Sequence, residues 1–372
     1  MNPEGPTYRA ALIGCGSMGS YYMDELVGLK SHTILPVGHA EVLQTNPRTN
    51  LTAGADPDAG RREDFSRRWG VAATYADHRE MLEKERPEIV SIASPPDLHA
   101  QHVIDCAKAG VKGVFCEKPL APTLKEADEL LAACDAAGVR LSINHTRRGG
   151  PWTRRAREII QAGELGDILT ITMTWAGRLF LTGTHCFDLV NFFAGDVPTA
   201  WLSGHAEVPT AEMKVVPTQR GVDVGGTAYI VYENGIRAFL NGRDGNVTLQ
   251  AQVFGTKGML VLDDHEAQLW QLMDSSGFRE LAKVRFPQMM RYPAPMVYLL
   301  DDLIAAIQDD REPMSNGQHA RHALTQILAT HESSRNNNAR IDFPYVDIDA
   351  RPPYQWFSAD GEAVYHAVPR PA

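Results

Sequence analysis

The first part of the chain alternates short apolar runs with segments whose apolar residues recur at helical spacing. Between positions 124 and 137, Leu124, Ala127, Leu131 and Cys134 recur every three or four residues, which indicates a helix with one buried face. Strands that alternate with helices predict a parallel, doubly wound sheet, because parallel strands need a long crossover between them. The predicted strands are Tyr8–Ile13, Leu51–Ala55, Ile89–Ala93, Gly113–Cys116 and Val139–Ile143, and the predicted helices are Ser17–Leu29, Ala59–Trp69, His99–Ala109 and Leu124–Ala137.

The pattern changes after about residue 144. Ile168–Trp175 alternates apolar and polar residues, and only strand-like runs separated by turn signals follow between residues 200 and 273. We therefore expect an α/β chain in three parts. Residues 1–147 form a doubly wound parallel sheet, residues 148–340 form an α+β domain with a large, mostly antiparallel sheet, and the tail 341–372 packs on the body or on a partner subunit. Helices are predicted at Thr153–Ala162, His185–Phe193, Met296–Gln308 and His319–His331.

Length and charge narrow the classes of function. The 372 residues suffice for two domains of about 100–200 residues each. A formal net charge of −10 argues against nucleic acid as a partner. No run of about 18 apolar residues is present, and the N-terminus lacks the basic and apolar regions of a signal peptide. We expect a cytoplasmic protein that does not interact with membranes.

The cysteines do not form a recognisable framework. Their number is odd and no Cys-x-x-Cys pair occurs, so neither a disulfide scaffold nor a zinc site is predicted. We expect reduced thiols and no metal. The cysteines are Cys15, Cys106, Cys116, Cys134 and Cys186.

A glycine-rich turn follows the first predicted strand and opens the first predicted helix. In this context a Gly-x-Gly-x-x-Gly sequence predicts a Rossmann dinucleotide site, because glycine lets backbone N–H groups approach a pyrophosphate at a helix N-terminus. The candidate cofactor contacts in the turn are Gly14, Gly16, Ser17, Met18 and Gly19.

An acidic residue is needed after the second strand to bind the adenosine ribose, and Asp56 fits. It lies further past Gly19 than the usual spacing of about 20 residues, so we interpret 31–50 as an inserted loop. Asp56 and Asp58 would repel a 2′-phosphate, which favours NAD as the cofactor. Arg61 and Arg62 could instead neutralise such a phosphate, or lie on the solvated face of a helix.

Several motifs in order resemble the glucose–fructose oxidoreductase/inositol dehydrogenase family, often called Gfo/Idh/MocA. The resemblance covers roughly residues 8–340 and implies a two-domain fold, bound NAD(P) and a homodimer or homotetramer formed through the C-terminal sheets. The motifs are Ala11–Gly19, Ser94–His99, Cys116–Ala121 with its Glu-Lys-Pro signature, Gly163–Asp167 and Gly183–Asp188.

The resemblance also implies roles for individual residues. Lys118, at the end of a parallel strand, would be the base beside the nicotinamide, and Pro119 would fix its backbone, often through a cis peptide. His185 would hydrogen-bond the reacting hydroxyl, and Asp188, one turn later, would orient the imidazole or pair locally. Further cofactor contacts are implied at Ser94, Pro96, His99 and Glu117.

The resemblance implies a small sugar or polyol as the substrate, and a second group of residues bears on its charge. An arginine pair beside a histidine can hold a carboxylate, phosphate or sulfonate, which would make the sugar anionic, although surface ion pairing would explain the pair equally well. Trp152 could stack on a sugar face or pack in the core. The other candidate substrate contacts are His145, Arg147, Arg148, Thr182 and Thr184.

One position departs from the family pattern. Four residues before His185, the family commonly has an aspartate, whereas this chain has Leu181. Three functions therefore stay open: an NAD-dependent dehydrogenase acting on a secondary hydroxyl, an NAD-recycling glycoside hydrolase that oxidises, eliminates, hydrates and reduces again, and a non-enzymatic cofactor sensor. The retention of both Lys118 and His185 argues against the sensor.

Overall fold

The computed structural model describes residues 5–21, 36, 38–207, 223–243, 249–263, 266–275, 278–286, 294–347 and 349–350. The chain divides into two compact units, one within Met1–Gly149 and Tyr292–Ala320, the other within Gly150–Arg291 and Arg321–Ala372. The strands are β1 (Tyr8–Ile13), β2 (Thr49–Ala55), β3 (Ala73–Tyr75), β4 (Ile89–Ile92), β5 (Gly113–Cys116), β6 (Arg140–Ile143), β7 (Ile168–Ala176), β8 (Thr199–Ala206), β9 (Gly226–Tyr232), β10 (Arg237–Arg243), β11 (Gln250–Gly255), β12 (Gly258–Asp263), β13 (Ala267–Ser275), β14 (Phe278–Val284) and β15 (Ile341–Asp342). The helices are α1 (His39–Thr45), α2 (Ala59–Trp69), α3 (His78–Glu85), α4 (His99–Lys108), α5 (Leu124–Ala137), α6 (Thr146–Gly149), α7 (Pro151–Gln161), α8 (Gly183–Ala194), α9 (Pro295–Asp309) and α10 (Gly317–Arg335).

The first unit is built on a six-stranded sheet in the order β3-β2-β1-β4-β5-β6. Every neighbouring pair is parallel, which confirms the predicted doubly wound sheet. The hydrophobic pattern missed β3, because this strand has only three residues and all are half-buried. Since parallel strands end at the same edge, the segments after β1, β2, β4, β5 and β6 converge there.

The segment interpreted as an inserted loop contains helix α1, so that prediction was wrong for residues 39–45. Val42 and Leu43 are fully buried in the core of the first unit, and burying them stabilises a helix too short to persist alone. The predicted helix Ser17–Leu29 begins as a π-helix, Ser17–Tyr21. Its remainder, like residues 31–35, lies outside the described residues.

Helix α9 belongs to the first unit although it lies about 150 residues further along the chain. Its apolar face, with Leu299 and Leu303 fully buried, joins the core formed by β1 and α1. A Cβ atom on Gly113 of β5 would lie 2.7 Å from Ile307, so the glycine permits close packing of α9 on the sheet. The sequence division at 147/148 did not anticipate this return, because periodicity reveals an apolar face and not its partner.

The second unit contains a nine-stranded sheet in the order β14-β13-β12-β11-β7-β10-β9-β8-β15. The sheet is mostly antiparallel, as predicted, with one parallel pair, β7 and β10. A Cβ atom on Gly242 would lie 2.0 Å from the ring of Trp175, so the glycine makes room for this buried indole. Trp175 is thus a core residue.

The described residues can also be compared with the expectations for membrane spans, metal sites, cysteines and the C-terminal tail. Among the described helices, none is both long and apolar enough to cross a membrane. Within the same ranges no cluster of three or more His, Cys, Asp or Glu side chains is arranged to hold a metal. All five cysteines are buried free thiols. In the tail, Ile341 pairs with Leu202 of β8, and residues 351–372 lie outside the described part.

Candidate functional site

The glycine-rich turn after β1 shows two different uses of glycine. A Cβ atom on Gly19 would lie 1.9 Å from the carbonyl oxygen of Gly14, and one on Gly14 would lie 2.7 Å from the backbone of Ala93, so both glycines are required by the turn itself. At Gly16 the nearest atom is the Nη1 of Arg61 at 3.8 Å. This open approach at the start of a helix fits the pyrophosphate of a dinucleotide.

Asp56 follows the last residue of β2 and ties the glycine turn to that strand. Its Oδ2 accepts a hydrogen bond from the Cys15 amide at 2.9 Å, and its Oδ1 accepts one from the Asp58 amide at 3.0 Å. Each carboxylate oxygen can accept a second bond, so Asp56 fits a role in binding ribose hydroxyls. Arg61 approaches Oδ2 to 3.9 Å.

The neighbouring charges have local structural roles. The Asp58 side chain accepts a hydrogen bond from the Arg61 amide at 3.0 Å and caps α2, and this bond lowers the pKa of Asp58. The guanidinium of Arg62 donates to the carbonyl oxygens of Asp56 and Pro57, at 2.7 and 2.9 Å. Arg61, whose side chain is half-exposed, is therefore the better placed of the two arginines to meet a phosphate.

The loop after β4 carries Ser94, Pro96 and His99. His99 is fully buried, and its ring nitrogens lie 2.8 Å from the Pro119 carbonyl oxygen and 2.9 Å from that of Ser94. Burial lowers the pKa of His99. The imidazole thus holds the loop against the Lys118–Pro119 peptide, which is cis, and its position suits support of a cofactor loop better than direct contact.

A buried carboxylate, Glu117, precedes Lys118 at the end of β5. Its Oε1 accepts hydrogen bonds from the Nε2 of His39, at 2.9 Å, and from the Nδ2 of Asn144. Its Oε2 lies 3.3 Å from the Lys118 amide. Burial alone would raise the pKa of Glu117, but the bond to His39 and the nearby positive charges lower it to about 2.

Sequence reasoning missed His39 and Asn144. His39 lies outside every motif, in the segment that was interpreted as a loop, and only its fold neighbours reveal it. Asn144 could have been found, because it directly follows β6 at the same edge as Lys118. The Oδ1 of Asn144 is buried and meets no donor among the described residues.

The structure gives the two arginines after β6 different environments. Arg148 is fully buried and donates to the Met314 carbonyl oxygen at 3.4 Å. Arg147 is only partly buried, and His145 is buried beside it on the short helix α6 and its preceding turn. Of the predicted pair, Arg147 is the one whose burial is compatible with substrate contact.

In the second unit the remaining candidates surround the start of α8. Thr182 precedes the helix and its carbonyl oxygen accepts a bond from the His185 amide at 3.1 Å. Thr184 and His185 are 2% and 7% exposed, and Asp188 is fully buried. A ligand could therefore contact only a small part of the surface of Thr184 and His185. Trp152 of α7 is partly exposed and meets the ring of Phe286 edge-on at 5.8 Å.

A second buried carboxylate holds the turn before α8. Asp223 accepts hydrogen bonds from the amides of Phe180, at 3.0 and 3.1 Å, and of Leu181, at 2.7 Å. Burial raises the pKa of Asp223 to about 6, although these bonds and the charge of Arg178 lower it in part. A carboxylate therefore adjoins the backbone of the position where the family aspartate is missing, and no motif indicated it.

The raised pKa of Asp223 predicts a pH-dependent stability. Between about pH 4 and about pH 6 the folded state binds more protons at this site than the unfolded state, so its contribution is present at low pH and is lost as the pH rises through about 6. Asp223→Asn cannot ionise. The free energy of unfolding of this variant, relative to the wild type, should therefore increase by about 2 kcal/mol from about pH 4.5 to about pH 7.5.

Urea unfolding of both proteins at the two pH values measures this difference. Asp64→Asn, at a carboxyl whose side chain is 60% exposed, is the matched control for the loss of one aspartate at the surface. A difference for Asp223→Asn that stays constant with pH would contradict the assigned ionisation.

Comparison with known proteins agrees with this geometry. Residues 8–145 match the model of an oxidoreductase family with an NAD-binding Rossmann fold, GFO_IDH_MocA. The myo-inositol 2-dehydrogenase of Thermotoga maritima is 28% identical over 79% of this chain and 92% of its own length. The D-apiose dehydrogenase of Paraburkholderia graminis is 24% identical over 92% of each chain.

The fold is also similar to that of solved structures. The WlbA dehydrogenase of Bordetella pertussis, determined with NADH and UDP-GlcNAcA, superposes with a TM-score of 0.70 at 18% identity, over 91% of this chain and 99% of that one. At this identity the likeness concerns the fold. The family model covers residues 8–145, the part of the chain that carries the Rossmann turn and the Glu-Lys-Pro segment, so this part of the chain is similar to the NAD-binding domain of the Gfo/Idh/MocA oxidoreductases.

Proposed function

We propose that the protein oxidises a secondary hydroxyl of a sugar or cyclitol and passes the hydride to NAD. The observation that carries this proposal is Lys118, at the carboxyl edge of the parallel sheet beside the buried Glu117, whose Oε2 lies 3.3 Å from the Lys118 amide. The dehydrogenases of myo-inositol and D-apiose among the relatives support the substrate class.

The chain's residues supply binding and proton transfer. The cofactor held by these residues would supply the acceptor for the hydride of the carbinol carbon. Lys118 accepts the proton of the reacting hydroxyl, for which it must first be neutral; proximity to a cationic nicotinamide disfavours its ammonium form. The family resemblance supports His185 as the group that would hydrogen-bond the substrate hydroxyl. Asp56, the glycine turn and the Ser94–His99 loop would hold the dinucleotide.

The alternative of an NAD-recycling glycosidase rested on Leu181. Asp223 weakens this argument, because its carboxylate binds the amide of Leu181 and provides a buried acid beside that position. The observation favours net oxidation. The distinguishing quantity is the amount of NADH per product, since a dehydrogenase forms one equivalent and a recycling hydrolase accumulates none.

The charge of the substrate is a finer proposal, an anionic sugar bound by Arg147. It is supported by the partial burial of Arg147 beside His145, in contrast to the fully buried Arg148. The WlbA structure was solved with UDP-GlcNAcA, whose name denotes an acidic sugar nucleotide. A guanidinium binds such carboxylates or phosphates in a bidentate manner.

We also propose a homodimer or homotetramer formed through the C-terminal sheet. Along β10 exposed and buried residues alternate, and among the described residues Phe239 is 48% exposed. Phe239 stacks with Tyr229, which meets Trp201 edge-on, so this face of the sheet carries an aromatic row. Burying such a row against a second copy would be favourable.

Catalysis is predicted to depend on Lys118 and His185. Lys118→Ala and His185→Ala should each lower the rate of NADH formation about 10²-fold or more, because each removes a positioned proton-transfer or hydrogen-bonding group. NAD affinity, measured by calorimetry, should stay close to that of the wild type.

In the wild type, absorbance at about 340 nm should rise by one NADH per ketone product. Normal rates in a variant would remove that residue from the mechanism, and aglycone release without NADH would establish the hydrolase.

Arg147→Met is predicted to raise KM for a uronate or sugar phosphate at least about tenfold and to leave KM for a neutral polyol unchanged, since one charge-assisted contact is lost. Arg148→Met is the matched control and should change stability more than the preference between the two substrates. Equal effects of Arg147→Met on charged and neutral substrates would indicate a structural arginine and a neutral substrate.

The cofactor is predicted to be NAD in preference to NADP. Asp56 and Asp58 repel a 2′-phosphate, and Arg62 is bonded to carbonyl oxygens, so calorimetry should give at least about tenfold tighter binding of NAD. Asp56→Asn keeps an acceptor for the Cys15 amide and should reduce this preference. Equal or reversed affinities in the wild type would assign Arg61 to the phosphate.

A further inference from the structure

The ion pair of His39 and Glu117 joins the start of α1 to the end of β5. The proposed mechanism assigns a role to Lys118 at the end of β5 but none to His39. His39 is fully buried at the start of α1, and Glu117 is 6% exposed at the end of β5. A carboxylate enclosed in this way is destabilising unless a positive charge and hydrogen bonds compensate it. The Nε2 of His39 provides a direct contact, at 2.9 Å from the Oε1 of Glu117.

The hydrogen bonds around the imidazole allow an arrangement in which both ring nitrogens donate. The Nδ1 of His39 lies 2.5 Å from the Oγ of Ser91, and this hydroxyl lies 3.3 Å from the carbonyl oxygen of Phe115, to which it donates. When the Ser91 hydroxyl donates to Phe115, its oxygen accepts from Nδ1–H, while Nε2–H donates to Glu117. In that arrangement each hydrogen bond between Phe115, Ser91, His39 and Glu117 is formed.

The two oxygens of Glu117 have different tasks. Oε1 receives His39 and Asn144, whereas Oε2 lies 3.3 Å from the backbone amide of Lys118. The negative charge of Glu117 also attracts the Lys118 ammonium, an interaction that by itself favours the protonated lysine. If Lys118 is to act as a base, Glu117 must keep its contact with the Lys118 backbone amide while its attraction for the Lys118 ammonium is weakened.

We propose that His39 is a positioning residue for Lys118: as an imidazolium it neutralises Glu117, so that this carboxylate fixes the Lys118 backbone without holding the lysine in its protonated form. The proposal rests on the proposed role of Lys118 as the proton acceptor. It places a residue from α1, outside the motifs, in control of the base.

The surroundings of the ring leave Glu117 as its direct charged partner. Ser91 of β4 and Phe115 of β5, whose ring centroid lies 5.2 Å from that of His39, are uncharged. Of the acids on the packed helices, Glu41 lies two positions further along α1, and Asp301 of α9 bonds Asn46 after the far end of α1, at 2.7 Å. Lys118 acts on the ring through Glu117.

The protonation of His39 can be measured without turnover. Nitrogen-15 NMR of the full chain is recorded with and without NAD between about pH 6 and about pH 8. One histidine should keep both ring nitrogens protonated at every pH in this range. Its signal is assigned by its loss in His39→Gln. A neutral His39 ring at about pH 7 would overturn the proposal whatever the outcome of the kinetic experiments.

The pH dependence of kcat/KM tests the effect on Lys118. His39→Gln keeps a donor for Oε1 but removes the charge, so the acidic limb of the profile should move up by about one pH unit, with about tenfold loss near neutral pH and recovery at high pH. His39→Leu removes donor and charge and should also lower the high-pH plateau. His331→Gln, at another buried histidine, is the control and should keep the wild-type profile.

The outcomes separate the two proposals. Loss of turnover in Lys118→Ala together with an unshifted profile in folded, NAD-binding His39→Gln would overturn the role of His39 and leave the proposed function intact. Normal turnover in Lys118→Ala would overturn the proposed function, and the NMR result would then still decide the charge of His39.

Discussion

The buried negative charge of Glu117 is the constraint on which the carboxyl edge of the parallel sheet depends. A carboxylate without solvent requires donors on several sides, and here they come from α1, from the segment after β6 and from the next backbone amide. Meeting this requirement brings together three regions distant in sequence. Lys118 obtains a defined position as a consequence of how its neighbour is solvated by the protein.

Much of the first unit could be predicted from local patterns. Alternation of apolar strands and amphipathic helices indicated the parallel sheet, and its geometry then placed the glycine turn, Asp56 and Lys118 at one edge. Asp56 illustrates why such reasoning succeeds, because an acid that directly follows the second strand must lie at the carboxyl edge of the parallel sheet. The structure adds that its carboxylate also bonds the Cys15 amide.

The misses share a physical cause, which is that their partners are remote in the chain. His39 and Asp223 lie in segments without a motif, and each is important because it meets groups more than 40 positions away. Arg147 and Arg148 are adjacent and identical in type, yet only one is enclosed by the return of the chain near Met314. Composition and spacing do not contain this information, because burial depends on tertiary packing.

The position of α9 in the first core has a consequence for biosynthesis. A ribosome delivers the chain from the N-terminus, so β1–β6 emerge well before Pro295–Asp309. Until then the face of the sheet around Gly113 lacks the side chains that cover it, while the intervening strands of the other unit are still being made. The nascent sheet must therefore persist with an open apolar face, which exposes it to chaperones and to aggregation during synthesis, and a fragment that ends at residue 149 would keep that face permanently uncovered.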